Sequence, residues 1–135
     1  MVDSTNLPEV DINAIATDLN NKVDKDGTNA EFIHIIEAWH DANGNWYRIY
    51  SDGWCEQGGI VNVNYNQTTV DVLLLKPYID TNYSILLTAG GAAVNGVLKE
   101  SWQNKTVSQF AIYGDYSSST ALNIPTTWRA SGYIR

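Results

Sequence analysis

Between Asn45 and Gly59 the chain reads NWYRIYSDGWCEQGG, and this run constrains the fold more than any other. Trp46, Arg48 and Tyr50 alternate with Tyr47, Ile49 and Ser51. A period of two puts successive side chains on opposite faces of an extended strand, so the pattern predicts a β-strand. Ser51-Asp52-Gly53 supplies turn chemistry, because short polar side chains bond to their own backbone and glycine tolerates positive φ. Trp54 begins a second strand, and Gly58-Gly59 are expected to break it. The expected unit is a tight antiparallel hairpin with aromatic side chains on both faces. Nothing in it has the spacing of a catalytic or metal-binding motif.

Similar short segments recur along the rest of the chain. Residues 32–40 alternate, with Ile33, Ile35 and Trp39 on one face, and residues 41–45 contain the hairpin-turn pair Asn43-Gly44. Further strands are expected over 60–65, 69–76, 83–88, 107–113 and 127–134. In the last of these Trp128, Ala130, Gly132 and Ile134 share a face. Val72-Leu73-Leu74-Leu75 is apolar on both faces, which suits a central strand or one covered by a neighbouring subunit, and Pro77 ends it. Many short strands between turn signals predict a mainly β fold, an antiparallel β-sandwich, over residues 32–135. Residues 89–96, 102–106 and 115–120 read as loops.

The N-terminal part is different. Residues 1–9 lack periodicity and read as a disordered segment or linker, whereas residues 10–31 read as a helix and its polar connector. Ile12, Ile15 and Leu19 form an apolar helical stripe over residues 10–23, with Asp11 as the N-cap. So short a helix is marginal in water and must pack on something. It either docks on its own domain or joins copies of itself as a coiled-coil-like stalk. Isoleucine at both apolar positions of the heptad leans toward three strands, hence a trimer.

Eight basic against fifteen acidic side chains leave a net charge of −7, which argues against nucleic acid and anionic membranes as partners. No apolar run is long enough for membrane insertion, and no charged-then-apolar leader opens the chain, so no signal peptide is expected. The single cysteine, Cys55, excludes an intrachain disulfide and lies in a strand, where a buried, inert thiol is expected. His34 and His40 stand about 20 Å apart if both lie on one strand, too far to share a metal. No cofactor and no metal site is expected. Glu37, Asp52, Glu56 and Asp71 offer carboxylates for glycosidic hydrolysis, but no pairing among them is visible. The expectation is a non-enzyme.

Tryptophan and tyrosine are abundant, at 5 and 8 residues, while phenylalanine and methionine are scarce. Such amphipathic rings suit half-wet surfaces, where the C–H face of a sugar stacks on the ring and polar neighbours bind its hydroxyls. Trp102, Asn104, Lys105, Asp115 and Tyr116 are the candidate ligand-binding residues, because their surroundings are polar. Trp46, Tyr50 and Trp54 are taken as the structural hairpin, and Trp128 as a core or interface anchor.

The run WYRIYSDGWCEQGG, the preceding IIEAWHDANGN and the closing PTTWRASGYIR together resemble the C-terminal domains of bacteriophage tail-fibre proteins. DLNNKVDKDGTNAEF resembles the helical or shaft-like connectors that precede such tips, so the resemblance runs from Asp18 to Arg135. It implies a homotrimeric fibre tip with a β-sandwich in each subunit. Such a tip attaches a virion to a bacterial surface receptor, often a glycan, without catalytic residues. It also implies a protein made in the host cytoplasm and carried on the virion tail. No binding residue transfers, because tip loops vary. Two other functions are compatible with these residues. One is a structural fibre or baseplate assembly domain. The other is a polysaccharide depolymerase using Glu37, Asp52 and Glu56.

Overall fold

A computed structural model describes residues 11–22, 32–90, 96–117 and 122–135. The chain divides into two units, residues 1–34 and 35–135. In the first, helix α1 spans Ile12–Lys22. The Asp11 carboxylate accepts hydrogen bonds from the backbone N–H groups of Asn13 (3.0 Å) and Ala14 (3.1 Å), the N-cap that the sequence predicts. Ile12 and Ile15 are 74% and 57% exposed, so this part of the stripe faces solvent in the single chain. The Leu19 side chain lies outside the described residues, as do residues 1–9 and most of the connector.

The second unit contains strands β1 (Ile35–His40), β2 (Trp46–Tyr50), β3 (Trp54–Asn64), β4 (Thr68–Leu73), β5 (Ser84–Ala89), β6 (Leu98–Gln103), β7 (Gln109–Tyr116) and β8 (Asn123–Tyr133). They form a five-stranded sheet, β1-β2-β3-β8-β5, and a three-stranded sheet, β4-β7-β6, with antiparallel pairing throughout. β3 and β8 pair along their whole length, from Trp54↔Tyr133 to Asn64↔Asn123, and form the spine of the larger sheet. Alternation decides what faces inward: Ile124, Thr126, Trp128 and Ala130 of β8 are buried, and the residues between them are exposed. Phe110 and Ile112 of β7 meet them from the other sheet, with the Phe110 ring edge-on to Trp128 at 5.7 Å. Each of these large apolar side chains contributes roughly 1.5–3 kcal/mol by leaving water.

Both expected hairpin turns form, and Gly44 has the positive φ (84°) that the Asn-Gly pair implies. The Asp41 carboxylate ties this turn by accepting from the backbone N–H groups of Asn43 and Asn45 and from the Asn45 side chain, at 2.8–2.9 Å.

Gly58-Gly59 do not break the strand as the sequence suggested; β3 continues through them. Their lack of a side chain serves close packing instead. A Cβ on Gly58 would stand 2.9 Å from Trp46 Nε1, and one on Gly59 would stand 3.0 Å from Trp128 Nε1, so the pair seats one indole on each face of the sheet.

Other expectations also need correction. Val72–Leu75 is not a central strand: β4 lies at the edge of the smaller sheet, ends at Leu73, and leaves that leucine 72% exposed. Residues 98–103 form β6, so Trp102 and Gln103 belong to a strand and not to the loop that the polar sequence around them suggests. Asp115 and Tyr116 likewise belong to the end of β7 rather than to a loop. Residues 91–95 and 118–120 of the expected loops lie outside the described residues.

One polar clamp holds the β4–β5 connection. Gln57 is completely buried; its side-chain Nε2 donates to the Lys76 carbonyl (2.7 Å), and its Oε1 accepts from the Lys76 N–H (3.0 Å). A buried primary amide thereby satisfies two backbone groups that the connection would otherwise strand. Tyr78 and Tyr83 stack beside it with centroids 4.3 Å apart.

Candidate functional site

β5 closes one side of the five-stranded sheet, and β6 closes one side of the three-stranded sheet. Where these edges meet, the sandwich opens into a cleft of about 500 Å³ lined by Ile85, Leu86, Leu87, Glu100, Ser101 and Trp102. Trp102 pairs across the ladder with Ile112, whose side chain is fully buried, and therefore stands on the inward row of β6. An edge strand has no further neighbour to cover that row, so the indole remains 44% exposed. Leu86, on the outer row of β5 opposite Arg129, stands at the rim of the cleft and is 67% exposed.

The segment after β6 folds back onto this ring. Asn104 adopts a left-handed conformation (φ 53°), which asparagine tolerates better than most residues. The turn sends the Lys105 ammonium over two aromatic rings, 4.7 Å from the Trp102 centroid and 4.8 Å from that of Tyr83. Its Nζ also donates to the Tyr83 carbonyl at 2.9 Å. The Tyr83 hydroxyl donates to the Thr106 carbonyl at 2.8 Å, and burial pushes its pKa up to about 12, so it remains a neutral donor at physiological pH. Thr106 closes the turn, its Oγ1 accepting from the N–H groups of Ser108 and Gln109.

Of the five candidate ligand-binding residues, Trp102 lines the cleft, Lys105 lies over its ring, and Asn104 forms the turn between them. Asp115 and Tyr116 do not join them. They pair with Lys99 and Leu98, three and four strand positions from the Trp102 pair, which is about 10 and 13 Å. The Tyr116 ring packs against the core and closes over Gly96. Leu86, Glu100 and Tyr83 belong to the site but escaped the sequence reading. Alternation at Leu98, Glu100 and Trp102 is the signal that marks the strand of Glu100, diluted by the polar residues between them.

The carboxylates suspected of hydrolytic chemistry are dispersed. Glu37 pairs across the ladder with Ile49 on the inward face; it accepts from the Tyr47 hydroxyl (2.5 Å) and the Lys76 ammonium (3.0 Å), which lower its pKa. Glu56 lies on the opposite face of the sheet, bonded to Arg129 (2.7 Å) and to the Tyr50 hydroxyl (3.2 Å). Asp52 accepts from the Trp54 N–H within its turn. Among the described residues no group of three or more His, Cys, Asp or Glu side chains is placed to hold a metal ion. No helix among them is long and apolar enough to cross a membrane. Cys55 is buried as expected, and desolvation pushes its thiol pKa up to about 11.

Solved structures share this architecture. The chain is similar to an N-truncated R1-type pyocin tail fibre, with a TM-score of 0.56 and 12% identity, over 94% of this chain and all of that one. It also matches the R1 pyocin fibre of P. aeruginosa comprising C-terminal residues 323–701, with a TM-score of 0.55 and 14% identity, over 73% of this chain. A third match is an N-truncated R2-type pyocin tail fibre, with a TM-score of 0.52 and 14% identity. The chain spans 28% of the longer R1 fibre and 38% of the R2 fibre. No family profile and no curated protein sequence matches. At these identities the likeness concerns the fold, which this chain shares with pyocin tail fibres.

Proposed function

We propose that this chain is the tip of a phage-tail-like fibre, a non-catalytic adhesion module that holds the particle to a saccharide on a bacterial surface. The observation that carries the proposal is the half-exposed Trp102 ring, braced by Lys105, beside an open cleft of about 500 Å³ on a tail-fibre fold. This volume is in the range of small-molecule sites. A pyranose stacks its C–H face on the indole, the apolar β5 residues at the cleft receive its apolar edge, and Glu100 and Ser101 bind its hydroxyls. Lys105 holds the ring still, so little rotamer freedom is lost on binding.

So shallow a site binds one sugar weakly. We propose that the tip works as a homotrimer, in which three copies turn weak contacts into useful avidity. The exposed Ile12 and Ile15 of α1 support self-association, because such a stripe needs a partner. Fibre tips of this kind sit at the end of a virion-like tail and are made in the cytoplasm of the producing cell.

A depolymerase fits less well, since Glu37 and Glu56 face opposite sides of one sheet and cannot flank one glycosidic bond. A purely assembly role predicts no affinity for cells. Adsorption of labelled protein to susceptible bacteria tests the proposal. Wild-type protein is expected to bind and Trp102→Ala to lose at least roughly tenfold in affinity, in line with the stacking contribution of an aromatic anchor. Equal binding by both proteins overturns the site assignment, and no binding by wild type overturns the adhesion function.

A further inference from the structure

The solvent face of the β1–β2 hairpin carries a second arrangement, distant in sequence from the cleft. The pairs Ala38↔Arg48 and His40↔Trp46 place these four side chains together on that face. A depression of about 190 Å³ at this hairpin is lined by Ala38, Trp39, His40, Trp46, Tyr47 and Arg48, of which Ala38, His40, Trp46 and Arg48 share the solvent face. The Trp46 indole is fixed because one side of it rests on Gly58.

Two guanidinium groups flank this indole, Arg48 with Cζ 5.8 Å from the ring centroid and Arg129 with Cζ 5.7 Å from it. Their charges are used differently. Arg129 is neutralised by Glu56 at 2.7 Å. Among the described residues no carboxylate lies within salt-bridge distance of Arg48, although the chain carries fifteen acidic side chains. Arg48 is exposed, and its planar fork of N–H donors matches a carboxylate. Glu56 stands opposite Arg48 across the β2–β3 ladder, but its carboxylate is engaged by Arg129 and Tyr50. Two guanidinium groups thus share one carboxylate beside an immobilised indole, at a depression the size of a single sugar ring.

We infer that this depression is a subsite for a carboxylate-bearing sugar residue of the uronic-acid type. Arg48 takes the carboxylate in a two-pronged hydrogen bond, Trp46 contacts the C–H edge of the ring, and His40 reaches a hydroxyl. The subsite is separate from the β5–β6 cleft and does not depend on it.

The test is an NMR titration of the intact protein with a galacturonic acid trisaccharide and with the same trisaccharide reduced to its neutral alcohol form. The acidic sugar should shift the amide signals of β1 and β2, and the neutral one should bind at least roughly tenfold more weakly, as expected for loss of a charge-assisted pair. Arg48→Ala should weaken the acidic sugar by a similar factor and leave the melting temperature and solution mass unchanged. Trp102→Ala should leave its affinity within about twofold, because distant sites act independently. Binding of both sugars with equal affinity overturns the inference, as does binding that Arg48→Ala leaves intact. Shifts confined to β5 and β6, or no binding of the acid, also overturn it. A change of solution mass in Arg48→Ala would assign this face to assembly and equally reject the subsite. Failure here leaves the cleft reading standing, whereas loss of adsorption in Trp102→Ala bears only on the cleft.

Discussion

The β2–β3 hairpin and the β5–β6 edge are both rich in aromatic rings and cations, yet they use them differently. In the hairpin, Trp46 rests on Gly58 between Arg48 and Arg129, Tyr47 stacks on Trp39 at 5.7 Å, and Glu56 ties Arg129 to Tyr50. Most of those contacts are internal. At the β5–β6 edge the ladder stops, and Trp102 presents its ring to an open cleft with Lys105 on one side. An abundance of tryptophan therefore does not mark a ligand site. What marks one is a ring fixed by its neighbours and still uncovered, and in a sandwich such rings collect where two sheet edges meet.

If the glycines and inward row of the hairpin are scaffold and the β5–β6 edge is surface, substitutions at these two sets of residues should separate stability from adsorption. The largest loss is expected for Gly58→Val. Its Cβ would stand 2.7 Å from the Trp128 carbonyl oxygen, a backbone atom that cannot move aside. Urea unfolding should show a loss of roughly 3 kcal/mol, at the upper end of overpacking effects. Gln57→Leu comes next, because it removes both partners of the Lys76 backbone. About 2 kcal/mol should disappear, the cost of leaving buried polar groups unpaired. A loss below about 0.5 kcal/mol in either variant would deny the spine its structural role.

Alkaline pH should weaken the core by a smaller, graded amount. Burial raises the Cys55 pKa from 9.0 to about 11 and the Tyr83 pKa from 10.0 to about 12. Raised values mean that the folded state holds its protons longer than the unfolded chain. The stabilisation is complete below about pH 9 and is lost as the pH rises through the folded values. Thermal midpoints should thus be flat from pH 7 to 9 and fall above that, with a shallower fall in Cys55→Ala. The smallest change in stability belongs to Trp102→Ala. A half-exposed ring on an edge strand should cost no more than about 1 kcal/mol, while adsorption to cells collapses. A larger loss of stability would make Trp102 part of the scaffold and erase the contrast.

Much of the scaffold was legible in the sequence. The alternation around Trp46 and Trp128, the Asn43-Gly44 turn and the Asp11 cap all express local rules, and the structure follows them. The misreadings share a cause. Gly58-Gly59 look like a strand breaker, but two indoles distant from one another in sequence need room there, which no local rule reveals. β6 carries Lys99, Glu100, Ser101 and Gln103 around Trp102, so an edge strand with little core to cover reads as a loop. The cleft was half legible. Trp102, Asn104 and Lys105 are neighbours in sequence and remain neighbours in space, whereas Leu86 comes from the other sheet and Tyr83 from the segment just before it. Asp115 and Tyr116 were grouped with them through polarity alone, and the strand pairing carries them to the other end of the sheet.

The most direct measurement is hydrogen exchange of the intact protein with and without surface polysaccharide from a bacterium it adsorbs to. Backbone amides of β5 and β6 and of the Asn104–Lys105 turn should slow on binding, and this slowing should vanish in Trp102→Ala. Saturating polysaccharide that leaves β5 and β6 exchanging at the free rate would contradict the assignment of adhesion to this edge.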